Sequence, residues 1–266
     1  MSRDVDRPTL AAIAVVSFAL ANVVHEGVGH GGACLIAGGR ALELSAIHFE
    51  GDLTGLVPAA RKWLAAGGTL ANLALGLVAW LALRASRRAP GPAWFFLWLS
   101  MTVNLLQATG YWLFSGLGRI GDWAVVIDGW TPHWPFRLGL TALGAGYWAV
   151  VQLSLRELSP FLGSEPQRWR RAVRLTVLPY LVGGLLYVAA GLLNPVGAYL
   201  VLISAAAASF GGTSGLAWMA QLLRDERRFP PRDGPILRIP RSIPWLVAGA
   251  AIALLFVGVL GPGIRF

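Results

Sequence analysis

Long apolar runs separated by short polar connectors organise this chain. Runs of about 20 residues, enough to cross the hydrocarbon of a bilayer, lie at roughly 9 to 36, 63 to 83, 92 to 116, 136 to 155, 173 to 193, 197 to 222 and 243 to 260. A spanning segment must satisfy its own backbone polar groups, so each run is expected to be helical. The pattern predicts an all-α, polytopic transmembrane helical bundle of about seven spans. No polar stretch is long enough for an appended soluble domain, so residues 1–266 read as a single integral membrane domain. The first run is too long for a removable signal peptide and lacks a small-residue cleavage site before polar sequence, so it is expected to remain as a helix. Small residues crowd "AAGGTLANLALG" and "ISAAAASFGGTSGLAW", which lets membrane helices approach closely. Two connectors carry pattern of their own. Residues 40–60 alternate partially and suit a short hairpin or re-entrant piece, and residues 115–135 are glycine-rich and then amphipathic.

Composition agrees with the pattern. Hydrophobic residues make up 56% of the chain and charged ones only 13%, with a mean hydropathy of +0.60. The net charge of +9 does not point to nucleic acid, because the arginines sit in connectors and not on a soluble face interleaved with aromatics. Arg3 and Arg7, then Arg84, Arg87 and Arg88, then Arg156 to Arg174 and Arg224 to Arg241 enrich every second connector. By the positive-inside rule this places the amino terminus in the cytoplasm. The connector from 37 to 62 is the exception, with Arg40, Arg61 and Lys62 partly offset by Glu43, Glu50 and Asp52. The single Cys34 permits no internal disulfide and no cysteine metal cluster.

Against this background "ANVVHEGVGHGGACLIAGG", residues 21–39, stands out. Ionisable groups inside a span cost a few kcal/mol each and usually mark a functional path, yet His25, Glu26 and His30 lie within six residues and include half of the chain's four histidines. A helical histidine pair with an adjacent glutamate suits a zinc hydrolase: two neutral imidazoles bind the metal and the glutamate handles the proton of the attacking water. Ordinarily such ligands are four residues apart, and here they are five. In a regular α-helix, residues i and i+5 diverge by about 140°. A π-bulge absorbs one residue and returns them to within about 50°, and Gly27 and Gly29 ease it. In an unbulged helix Glu26 and His30 are instead the i, i+4 pair and are themselves candidate ligands.

The segment "HEGVGHGGACLIAGG" resembles the first core helix of the site-2 proteases, the M50 family of intramembrane zinc metalloproteases, whose His-Glu-x-x-His it matches with one insertion. "GGTLANLALG" is similar to the family's second core motif, Gly-Pro-x-x-Asn, at Gly68, Thr69 and Asn72, with threonine replacing proline. A third family helix carries an asparagine and then an aspartate completing the zinc site. Here Asn104 is followed by Asp122 in "GDW" and Asp128 in "IDG", neither at the usual distance. Asp122 is preferred, because Gly118 and Gly121 let the backbone turn into a cavity. The resemblance implies a metalloprotease core over residues 8–135, with additional transmembrane helices over 136–266. It implies one Zn2+ per chain held by His25, His30 and Asp122, Glu26 as the catalytic base, and Asn72 and Asn104 as support. The implied activity is hydrolysis of peptide bonds in or near a membrane-embedded segment, with a membrane protein or peptide as substrate and the lipid bilayer as surroundings.

Other readings use the same residues. A membrane metal-binding or transport protein would line several helices with ligands, whereas the later spans are almost free of ionisable groups. An M50-like protein that binds membrane segments without cutting them is a further alternative. His48, beside Glu50 and Asp52, is a possible participant, and His133, between Pro132 and Trp134, reads as an interfacial residue. Gly212 to Gly215 fits the Gly-x-Ser-Gly pattern of rhomboid serine proteases, but no histidine follows residue 133 to activate Ser214.

Overall fold

The computed structural model describes residues 4–86, 90–164, 167–195 and 208–266. The first helix, α1 (Arg7–Val23), starts where Asp6 caps it: the carboxylate accepts from the Thr9 amide at 3.0 Å and the Thr9 hydroxyl at 2.7 Å. Those hydrogen bonds hold the Asp6 carboxyl below its ordinary range. Pro8 occupies the first turn, where no intrahelical N–H partner is needed. The helix runs directly into a π-helical segment, Val24–Gly31, and then α2 (Gly32–Ile36). A hairpin follows, β1 (Arg40–Leu44) and β2 (Phe49–Asp52), antiparallel with a register shift between Ala41 and Glu43. The residues expected to form a hairpin therefore do so. Its turn is stapled by Ser45 Oγ, which accepts from the amides of Ile47 and His48.

Two long helices, α3 (Pro58–Ala85) and α4 (Pro92–Gly118), each begin with proline at the first helical position. Helix α4 ends where Arg119 turns left-handed at φ 59°, and the short α5 (Asp122–Val126) follows Gly121 at φ 80°. Next come α6 (His133–Gly144) and α7 (Gly146–Leu158), which share the expected fourth span, then α8 (Arg168–Leu192). The chain closes with α9 (Gly215–Trp218), α10 (Ile243–Leu255) and β3 (Ile264–Arg265). Strand β3 pairs antiparallel with β1, giving the sheet order β2-β1-β3.

Among the described residues, five helical stretches are long and apolar enough to cross a membrane: Arg7–Ile36, Pro58–Ala85, His133–Phe161, Arg168–Leu192 and Ile243–Leu260. Residues 197–207 of the expected sixth span lie outside the described residues. The expected third span forms α4, which is about 40 Å long at 1.5 Å per residue and is not among these five, because a run of polar residues interrupts its apolar sequence. Its polarity has a structural cause. Ser100, Thr102, Asn104, Gln107 and Thr109 are all buried in the bundle, where Thr102 and Thr109 back-bond to Trp98 O and Leu105 O at 2.8 Å. Helix α10 is the opposite case. Its apolar window is only 11% buried and Val247, Leu254 and Leu255 face outward, as lipid contact requires.

Helix α1 packs against α4, α8 and α10, and the π-segment that continues it packs against α3 at one end of the bundle. There the hairpin lies across it: a Cβ on Gly31 would stand 3.3 Å from the Phe49 ring, and one on Gly27 would stand 3.8 Å from Leu44. At the opposite end Arg171 pairs with Asp4, and Arg84 with Glu157, each at 3.3 Å. Where the backbones of the π-segment and α3 approach most closely, the contact is between glycines. A Cβ on Gly29 would lie 2.5 Å from Gly68 Cα, and one on Gly67 would lie 2.3 Å from Gly29 O. Gly67→Val is therefore expected to destabilise the protein by about 1–3 kcal/mol through overpacking. Gly32→Ala, where a Cβ meets nothing within 4 Å, is expected to be neutral or to raise stability by up to about 1 kcal/mol. Thermal unfolding of the two variants in one detergent checks the contrast.

Candidate metal centre

His25, Glu26 and His30 all lie on the π-segment and all are buried. The π winding brings the imidazoles onto one face, with ring centroids 4.8 Å apart and planes at 85°. Their Nε2 atoms are 3.2 Å from each other. Helix α4 stops and the chain turns back through Arg119 and Gly121, so the first residue of α5 reaches the same point. Asp122 Oδ2 lies 3.3 Å from His25 Nε2 and 3.5 Å from His30 Nε2.

The surrounding hydrogen bonds decide which of these atoms carry protons. Asn72 Nδ2 donates to Ala21 O at 3.0 Å and to Asn104 Oδ1 at 2.7 Å, and Asn104 Nδ2 donates to Ser100 O at 2.8 Å. Asn72 Oδ1 is thus left as an acceptor, and His25 Nδ1, 2.6 Å away, must donate to it. His30 Nδ1 lies 2.8 Å from Leu64 O, which can only accept, so it donates as well. In the neutral imidazoles both Nε2 atoms are then bare lone pairs. They face each other and a carboxylate oxygen that is buried without a hydrogen-bond partner. Three electron pairs at this separation repel one another, and either a proton or a metal ion among them relieves the repulsion.

The dimensions of the triangle discriminate between cations. Ligands 2.0–2.1 Å from a tetrahedral zinc are about 3.3–3.4 Å apart, while an octahedral site with the same bond lengths would set neighbours roughly 2.9 Å apart. The observed edges of 3.2, 3.3 and 3.5 Å match the tetrahedral face. Two imidazoles and a carboxylate with a fourth position free are also the donor set of a catalytic zinc site. The residues present fit such an ion. Glu26 is close by, in a group with the two histidines whose candidate ligand atoms all lie within 4.8 Å of one another. It borders a small cavity of about 10 Å³ shared with Asn22, Gln107 and Tyr187, enough for about one water.

One neighbour of the histidines has no signal in the sequence. Tyr111 stacks on His25, with centroids 4.9 Å apart and planes at 25°. No spacing rule links position 111 to position 25. Gly68, which the sequence placed in one motif with Thr69 and Asn72, is the floor under both rings, since a Cβ there would lie 2.6 Å from His25 Nε2 and 2.7 Å from His30 Nε2. Other singled-out residues lie elsewhere. Asp128 is exposed, and its backbone carbonyl accepts from the Lys62 amine. His48 contacts Ser45 and Glu43 in the hairpin, and His133 is the first residue of α6. Ser214 is hydrogen-bonded at 3.1 Å to the Tyr147 hydroxyl, not to an imidazole, which removes the support for serine chemistry there.

If the triangle holds the metal, Asp122→Asn should weaken zinc affinity while Asp128→Asn leaves it unchanged. Asn72→Leu should cost about 10–100-fold by freeing the His25 ring, as measured by competition with a chelating dye. Deleting Gly27 should return the segment to α-helix with both histidines four apart, keeping zinc and thermal stability near native. A regular helix in the native protein would instead be twisted by about 100°, and both would collapse. No protein-family model, curated protein or solved structure matches the chain, so what can be said of this centre follows from its own geometry.

Proposed function

We propose that this protein is a zinc-dependent intramembrane metallopeptidase of the site-2 protease type, hydrolysing peptide bonds in or next to a membrane-embedded segment. The observation that carries the reading is the convergence of His25 Nε2, His30 Nε2 and Asp122 Oδ2 within 3.2–3.5 Å of one another, with a buried glutamate alongside. His25, His30 and Asp122 would hold the metal, which when bound supplies Lewis acidity toward a carbonyl oxygen and toward water.

The chain's own residues do the rest. Asn72 and the Leu64 carbonyl fix the proton of each imidazole on Nδ1, leaving Nε2 free to ligate. The Glu26 carboxylate is placed to take a proton from the attacking water and later deliver it to the leaving amine. Polar side chains around Glu26, namely Asn22, Gln107 and Tyr187, keep that carboxylate from an otherwise apolar interior. Tyr111 covers the face of His25 and excludes solvent from it. At membrane depth the low dielectric strengthens each of these interactions.

The test separates base from ligand. Glu26→Gln should keep about one zinc per chain, read by metal analysis, and lower cleavage of a single-span peptide by about 10²–10⁴-fold, the usual contribution of acid–base catalysis. Zinc lost together with activity would make Glu26 a ligand, and activity retained would remove it from the reaction.

A further inference from the structure

A cavity of about 590 Å³ among the described residues has no role in the account above. Its walls are the last turns of α4, with Tyr111, Phe114 and Leu117, then Asp122, and across from them Gly211 and Ser214. Native interiors leave few voids larger than a water molecule, and this one has the dimensions of a ligand site. The polar groups in its wall are already committed. The Tyr147 hydroxyl accepts from the Gly215 amide at 2.7 Å and pairs with Ser214 Oγ at 3.1 Å, so most of the hydrogen-bonding capacity of the two hydroxyls is spent within the protein. Asp122 is turned toward the two histidines.

We propose that this cavity is a specificity pocket, which takes the bulky apolar side chain of the substrate residue flanking the bond to be cut. The inference rests on the peptidase reading. One wall of the cavity is a residue of the metal triangle, so a peptide carbonyl held at that triangle presents its neighbours to the cavity mouth. A Cβ is only two bonds from the carbonyl carbon of its own residue, and a Leu or Phe side chain carries on from there into the void. A polar side chain would lose its hydration against this lining without compensation, and an alanine would leave it mostly unfilled. Two wall residues set the size of the pocket. A Cβ on Gly211 would meet nothing within 4 Å, so the position accepts a larger side chain that narrows the space. Leu117 is 62% exposed, so its truncation widens the space at little cost to the fold.

The experiment uses the full-length zinc-loaded protein in nanodiscs and single-span peptides that differ only in having Ala, Leu or Phe beside the cleaved bond. Wild type should cut the Leu and Phe peptides at least about tenfold faster than the Ala peptide, as hydrophobic pockets discriminate. Gly211→Phe should abolish that preference and Leu117→Ala should move it toward Phe, both with unchanged zinc content. A second arm needs no catalysis. In Glu26→Gln protein, a peptide carrying photoreactive benzoylphenylalanine at the same position should cross-link within residues 110–118 or 208–214, and Gly211→Phe should remove the cross-link. Cross-links elsewhere would overturn the pocket. So would a photoreactive phosphatidylcholine acyl chain that labels these walls and is not displaced by peptide, because the cavity would then belong to lipid. Cross-linking without any cleavage would sink the peptidase reading and leave the pocket standing. Equal cleavage of Ala and Phe peptides by all three proteins would do the reverse.

Discussion

Two imidazole lone pairs and a carboxylate oxygen lie within 3.5 Å of one another in the interior of a membrane protein, and the arrangement is tolerable only with positive charge between them. Much of the surrounding structure serves to impose it. The π winding turns His25 and His30 to one side. The Asn72–Asn104–Ser100 chain of hydrogen bonds ties the first imidazole across to α3 and α4. The left-handed stop at Arg119 and the positive φ of Gly121 bring Asp122 back to the same place. Each of these features is costly or unusual in isolation. A π-turn loses α-helical hydrogen-bond geometry, and asparagine amides in a bilayer interior must be fully partnered. Together they bring three ligand atoms to one point, the arrangement that the proposed metal site uses.

Close packing makes the arrangement possible. Lipid provides no hydrophobic drive between helices, so membrane bundles depend on small residues and van der Waals contact. The glycine-to-glycine contact of Gly29 with Gly67 and Gly68 shows why. It places α3 so near the π-segment that both imidazoles rest on a residue without a side chain, and Asn72, one turn further along α3, then meets His25. The hairpin completes the enclosure from outside and is itself tethered by the chain's last strand, through the β1–β3 pairing and the Arg265–Glu43 contact at 3.2 Å.

Much of this could be read from the chain because the physics was local. Twenty-residue apolar runs announce helices, and the five-residue histidine spacing called for a π-turn, which the structure contains at Val24–Gly31. Asp122 was distinguished from Asp128 by the glycines before it, a backbone argument that needed no tertiary information. Other features depend on what lies across the bundle. The polarity of α4 marks a helix surrounded by protein and not by lipid, and hydropathy along a chain does not report which neighbours a helix will have. Tyr111 stacks on His25 from a helix 86 positions later in the chain, and the cavity between α4 and Gly211 is bounded by segments about 100 residues apart. Such relations are set by packing and have no period in the sequence.

Zinc K-edge X-ray absorption on the purified, zinc-loaded protein bears on the centre most directly, because it counts the ligands without requiring activity. The account predicts a first shell of two imidazole nitrogens and protein oxygen at about 2.0–2.1 Å, with the imidazole scattering halved in His30→Ala and a changed oxygen contribution in Asp122→Asn. A protein that binds no zinc, or one whose spectrum is altered by Glu26→Gln and indifferent to Asp122→Asn, would contradict it.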